Sequence, residues 1–140
     1  MIIIFNNNLL EPKKVDPDYQ LEYDAAIEAG HEVFLVSYEE IVGGQFFSAI
    51  KQIPTDTGEE YAIYRGWMLT VEQYENFWNT LYRVTRIELI NRPFQYQFCH
   101  HLPEWYKSFV DRTPKSVWFK YNPNDFSIDL VKHYLRKLPK

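Results

Sequence analysis

Ala62-Ile63-Tyr64-Arg65-Gly66-Trp67-Met68-Leu69 reads as an apolar strand that runs into an arginine and a glycine, with a capped helix starting directly afterwards at Thr70. In open α/β sheets, ligands gather at the carboxyl ends of parallel strands. A guanidinium at such an end is placed to meet a carboxylate or a phosphate, both of which fit its planar fork. Thr70-Val71-Glu72-Gln73 matches a capping box, in which Gln73 reaches back towards Thr70. Val71, Tyr74, Trp78 and Leu81 then fall on one helical face. Burying each of these large side chains contributes roughly 1.5–3 kcal/mol, so the helix is expected to dock firmly on the sheet.

Working outward, residues 2–5 read as a short buried parallel strand, bounded by Asn6-Asn7-Asn8. Asp16-Pro17 opens a helix, with Asp as the cap and Pro at the first helical position. Tyr19, Tyr23, Ala26 and Ile27 make its apolar face, and Gly30 sits where a left-handed C-terminal cap belongs. Residues 32–36 follow as a second strand. Gly43-Gly44 offers a hairpin turn with residues 46–50 as the return strand, or a short helix over 46–51. Beyond the central unit, residues 87–90 read as a strand, 93–101 as a helix and 103–110 as another helix. Residues 116–119 read as a fifth short strand, and 127–138 as a last amphipathic helix. Strands alternate with helices throughout, which predicts a single Rossmann-like α/β domain, mainly parallel, with helices on both faces of the sheet.

The chain of 140 residues suits one domain with a sizeable core. No apolar run approaches the roughly 20 residues needed to span a bilayer, and the apolar start at residues 1–5 lacks a basic leader and a small-residue cleavage site. The net charge of −4 with scattered basic residues argues against nonspecific nucleic-acid binding, which needs a clustered cationic face. Cys99 is the single cysteine, which excludes an internal disulfide and fits a reducing cytoplasm.

If the sheet is parallel, three strand ends converge on one rim and bring together Asn6, Asn7 and Asn8, then Arg65, then Asn91 and Arg92. Asn amides and Arg forks can bind a carboxylate, a phosphate or a peptide. The plainer alternatives are turn-forming asparagines and an Arg65 ion pair with Glu59 or Glu60. Neither G-x-G-x-x-G nor G-x-x-x-x-G-K-[ST] occurs, so the groups that cradle a pyrophosphate in dinucleotide folds are missing. In Cys99-His100-His101, adjacent helical residues point about 100° apart, which argues against a shared metal. His100 can still face the rim, because its helix starts beside Asn91. The carboxylates form no recognisable acid/base pair, and Glu39 and Glu40 read as solvated surface.

Residues 64–70 (Tyr-Arg-Gly-Trp-Met-Leu-Thr), Glu88-Leu89-Ile90-Asn91, Cys99-His100-His101-Leu102-Pro103-Glu104-Trp105-Tyr106 and Thr113-Pro114-Lys115-Ser116-Val117-Trp118-Phe119 together resemble a bacterial and phage family. It is the ATP-grasp clade named for one characteristic arginine and two lysines. The resemblance runs from Met1 to about Phe119 and implies the Rossmann-like region that precedes the ATP-grasp module and helps to hold the acceptor substrate. Arg65 falls in a matching motif. The residues from about 120 to 140 then either complete this domain or begin the module that follows.

The nucleotide-binding lysine pair and the Mg²⁺ carboxylates have no counterpart here. ATP and Mg²⁺ therefore belong to the grasp module, and the implied role is binding rather than catalysis by this polypeptide alone. Ligation through an acyl-phosphate needs such cations against the charge of the transferring phosphoryl. The chain is accordingly expected to be a fragment, a split subunit or a stand-alone binding descendant. Arg65, Asn91 and Arg92 would anchor a small anionic or peptide acceptor, with residues 6–8 and His100 at the rim. The alternative is a protein-binding module, such as a phage-encoded regulator or inhibitor of a host protein, in which exposed Tyr and Trp form the interface.

Overall fold

The two apolar runs that frame the sequence reading are direct neighbours in space: β1 (Ile2–Asn6) pairs in parallel with β3 (Glu60–Arg65), Ile4 opposite Tyr64 and Phe5 opposite Arg65. On its other edge β1 pairs in parallel with β2 (Glu32–Val36), and β3 pairs in parallel with β4 (Ile87–Leu89). The result is an all-parallel four-stranded sheet of order β2-β1-β3-β4, a Rossmann-like α/β fold. The computed structural model describes residues 1–55, 58–120, 122–124 and 126–138. The chain divides into two units, Met1–Tyr96 and Gln97–Lys140.

Side chains alternate across a strand, and this parity sorts the core of the first unit into two layers. Ile2, Ile4, Val36, Ala62, Ile87 and Leu89 face one way. There they pack against the helical pair α2 (Tyr38–Val42) and α3 (Phe46–Ala49) and the long α4 (Val71–Thr85), through Ile41, Ala49, Tyr74, Phe77 and Leu81. Phe5 and Leu35 face the other way, onto Tyr19, Tyr23 and Ala26, which belong to a 3-10 turn and to α1 (Gln20–Glu28). Helices thus cover both faces, as the alternation of elements predicts.

Local chemistry explains most boundaries. The Asp16 carboxylate accepts from the Asp18 amide at 2.9 Å and caps the turn that Pro17 opens. Gly30 ends α1 with φ +76°, a conformation other residues rarely adopt. The capping box of α4 is complete: Thr70 Oγ1 accepts from the Gln73 amide at 3.2 Å, and Gln73 Oε1 accepts from the Thr70 amide at 2.9 Å. Ile27 is half exposed instead of sharing the apolar face. Tyr19, Tyr23 and Ala26 already define a narrow stripe, and Ile27 lies one helical step off Ala26. No return strand forms at 46–50: Phe46–Ala49 is helical, because Gly43-Gly44 links two short helices, α2 and α3.

Helix α5 (Pro93–His100) contains the division between the units. The second unit holds α6 (Leu102–Trp105), two 3-10 turns and α7 (Ile128–Leu135), which is capped by the Ser127 hydroxyl accepting from the Leu130 amide. The helix predicted over 103–110 breaks after Trp105, and the fifth strand predicted at 116–119 is not formed. A strand exists only through a ladder partner, and here local contacts take its place. The Ser116 amide donates to Tyr106 Oη, Trp118 packs edge-on against Tyr106 and Phe119 stacks on Tyr134. Among the described residues no helix is long and apolar enough to cross a membrane.

At Gly66 the backbone passes so close to β1 that a Cβ would lie 2.3 Å from Asn6 Oδ1 and 2.6 Å from Tyr64 Oη. Gly66→Ala is therefore expected to lower stability by about 1–3 kcal/mol in urea unfolding, the usual range for overpacking. A variant as stable as the parent would show that this approach is looser than described.

Candidate functional site

The parallel register brings the carboxyl ends of all four strands to one edge. Asn6 lies opposite Val36 and Arg65 opposite Phe5, and Leu89, opposite Ala62, ends β4 so that Asn91 follows at the same carboxyl edge. The connection leaving β1 goes to β2, whereas the connection leaving β3 goes to β4. The crevice between β1 and β3 is thus the switch point at which α/β sheets hold ligands.

The chain's own side chains fill the base of this crevice. Asn6 is fully buried, and its Oδ1 accepts from the Trp67 amide at 2.6 Å and from Tyr64 Oη at 3.3 Å. Trp67 Nε1 donates to Asp16 Oδ2 at 3.0 Å, while the indole packs edge-on against Tyr19. Burial pushes the Tyr64 hydroxyl far above its usual range, and the Asn6 hydrogen bond offsets only part of this. Tyr64 is therefore a neutral donor. Beneath the crevice, Tyr74 stacks on Tyr96 at 3.8 Å, and Tyr96 Oη accepts from the Leu69 amide at 2.9 Å.

Arg65 stands above this base. Its Nε and a terminal nitrogen meet the two Glu22 oxygens at 2.5 and 2.7 Å, and its Cζ lies 5.2 Å from the Tyr19 ring centre. The Glu22 hydrogen bond raises the guanidinium pKa above its usual value. Glu59 and Glu60 lie at the opposite end of β3, roughly 17 Å away at about 3.3 Å per residue, and do not reach it. Arg65 has the opposite parity to Ala62 and Tyr64, so it points to the face that α1 covers, and Glu22 is in the first turn of α1. That parity was the signal by which this partner was readable.

The remaining predicted residues take varied places. Asn7 is buried, and its Nδ2 donates to the Pro12 carbonyl at 3.3 Å. Asn8 turns the loop, its Oδ1 accepting from the Leu10 and Glu11 amides. Asn91 is exposed, and its carbonyl accepts from Tyr74 Oη at 2.7 Å. Arg92 pairs with Glu88 at 3.2 Å on the surface. The first unit thus brings Asn6, Asn7, Asn8, Arg65, Asn91 and Arg92 to one edge. His100 is exposed at the end of α5 and belongs to the second unit.

The tyrosines yield a pH prediction. An unfolded chain releases tyrosine protons near pH 10, whereas half-buried Tyr64 and buried Tyr74 and Tyr96 hold theirs to higher pH. Their contribution to stability is thus fully present below about pH 10 and is lost as pH rises through the folded values. Urea midpoints should fall steeply above about pH 10, and Tyr64→Phe should remove up to about 1.4 kcal/mol per pH unit of that slope. An unchanged slope would refute a Tyr64 held neutral in the fold. Comparison with protein-family models, curated proteins and solved structures gave no match for this chain.

Proposed function

We propose that this chain is a binding domain of the kind that precedes an ATP-grasp module, holding an anionic or peptide acceptor at the carboxyl edge of its sheet. The observation that supports this reading is the shared edge of Arg65 and Asn91, fixed by the parallel register of β1, β3 and β4. Arg65 already grips a carboxylate in the fork geometry that an acceptor would use. The Arg65 and Glu22 side chains are each about half exposed, at 48% and 47%. Such pairs contribute only about 0–1 kcal/mol, so an incoming carboxylate exchanges with Glu22 at little cost.

The reading assigns binding to these residues and no group transfer. Among the described residues no group of three or more His, Cys, Asp or Glu is arranged to hold a metal ion. A cytoplasmic setting belongs to the same reading.

Exposed apolar side chains support a second reading, a protein-binding module. Leu10, Met68 and Phe94 are 86%, 64% and 68% exposed and follow the carboxyl ends of β1, β3 and β4. A stoichiometric partner captured by the parent chain and lost with Phe94→Ser would favour it.

Calorimetry with acidic amino acids and short acidic peptides tests the first reading. Arg65→Met should weaken binding about tenfold or more, equivalent to about 1.4 kcal/mol, and Glu22→Gln should strengthen it by removing the competing carboxylate. Tight binding of Mg²⁺-ATP by this chain, or affinity indifferent to both substitutions, would contradict the proposal.

A further inference from the structure

A cavity of about 240 Å³ opens between the carboxyl ends of β1 and β2, bordered by Asn7, Leu9, Ser37, Glu39, Glu40 and Lys51. Two of its lining residues carry a buried oxygen without a hydrogen-bond partner among the described residues, Asn7 Oδ1 and Glu40 Oε2. Asn7 is only 6% exposed. Its amide is held in one orientation, because Nδ2 donates to the Pro12 carbonyl at 3.3 Å and a flipped amide would set two oxygens against each other. The other Glu40 oxygen is occupied, accepting from Ser48 Oγ at 2.6 Å and facing Lys51 Nζ at 3.6 Å. Leaving a buried acceptor unsatisfied costs about 1–3 kcal/mol, and more when it is charged.

The chemistry of the cavity selects its occupant. Both orphaned atoms are acceptors, so the missing group is a donor. Glu39 and Glu40 against Lys51 leave one excess negative charge on the wall, which disfavours anions. Ser37 Oγ donates to Glu39 Oε2 at 3.5 Å and accepts from the Glu40 amide at 3.3 Å, which leaves one lone pair for a further donor. A primary ammonium carries three N–H donors and a positive charge, enough for Asn7, Glu40 and Ser37 together. The space exceeds what a single water fills.

We propose that this cavity binds the protonated amine of a small primary ammonium compound, with Asn7 Oδ1 and Glu40 Oε2 as its acceptors. This site goes beyond the Arg65 edge: it shares only Asn7 with the residues of that rim and prefers the opposite charge, so either can fail without the other.

Titration of the isotope-labelled chain with ethylammonium chloride, followed by NMR, tests it. Saturable shifts are expected at the Asn7 side-chain amide and at Gln52, which also borders the cavity. Tetramethylammonium, which has charge but no N–H, and acetate should produce no such shifts. Glu40→Gln should weaken ethylammonium binding about tenfold or more. Lys51→Met, on an exposed side chain, should strengthen it several-fold by freeing Glu40, a gain that damage to the fold would not produce. Shifts that never saturate, equal shifts with tetramethylammonium, or a Lys51→Met variant that binds no better would overturn the proposal.

Discussion

The contact on which the rest of the molecule depends is the close passage of Gly66 against Asn6. Parallel strands β1 and β3 could pair in several registers by apolar content alone. Only the present one sets the Asn6 amide oxygen between the Trp67 amide and the Tyr64 hydroxyl. A side chain at position 66 would fill the space that Asn6 and Tyr64 occupy. The strand ends are therefore locked where β3 turns into the loop before α4. Asp16 extends the lock to the opposite face of the sheet, because one carboxylate both caps the turn before α1 and accepts from the Trp67 indole.

That lock decides what the sheet edge can offer. With the crevice base filled by Asn6, Tyr64 and Trp67, polar recognition moves outward to groups that are exposed or exchangeable. Arg65 is the principal one, and its carboxylate partner is supplied by α1 rather than by its own strand. At the same edge Asn91 is exposed, and its carbonyl is held by Tyr74 of α4, on the face opposite to the one Arg65 points to. The β2 side of the same edge has a different character, with a cavity whose buried oxygens lack donors. One edge thus carries a cationic grip and an acceptor-lined pocket, built from neighbouring strand ends.

Much of this was legible from residue order. The β1 run, the Asp16-Pro17 start, Gly30, the Thr70 capping box and the alternation of strands and helices each act locally, and the fold kept them. What escaped the sequence depended on partners distant in the chain. Glu22 meets Arg65 only because α1 crosses the face to which Arg65's parity points. Glu40 reads as solvated surface, yet its side chain is only 24% exposed. It is drawn in by Ser48 on α3, an element whose form stayed open between hairpin and helix. Residues 116–119 have strand-like composition, but their rings pack on Tyr106 and Tyr134 instead of entering a ladder.

The most direct measurement is a crystal structure of the chain grown with an excess of glutamate. A ligand carboxylate is expected in the Arg65 fork on the α1 face of the sheet, with the Glu22 side chain turned away from it. Glu22 still gripping Arg65 while glutamate occupies some other surface would contradict this expectation.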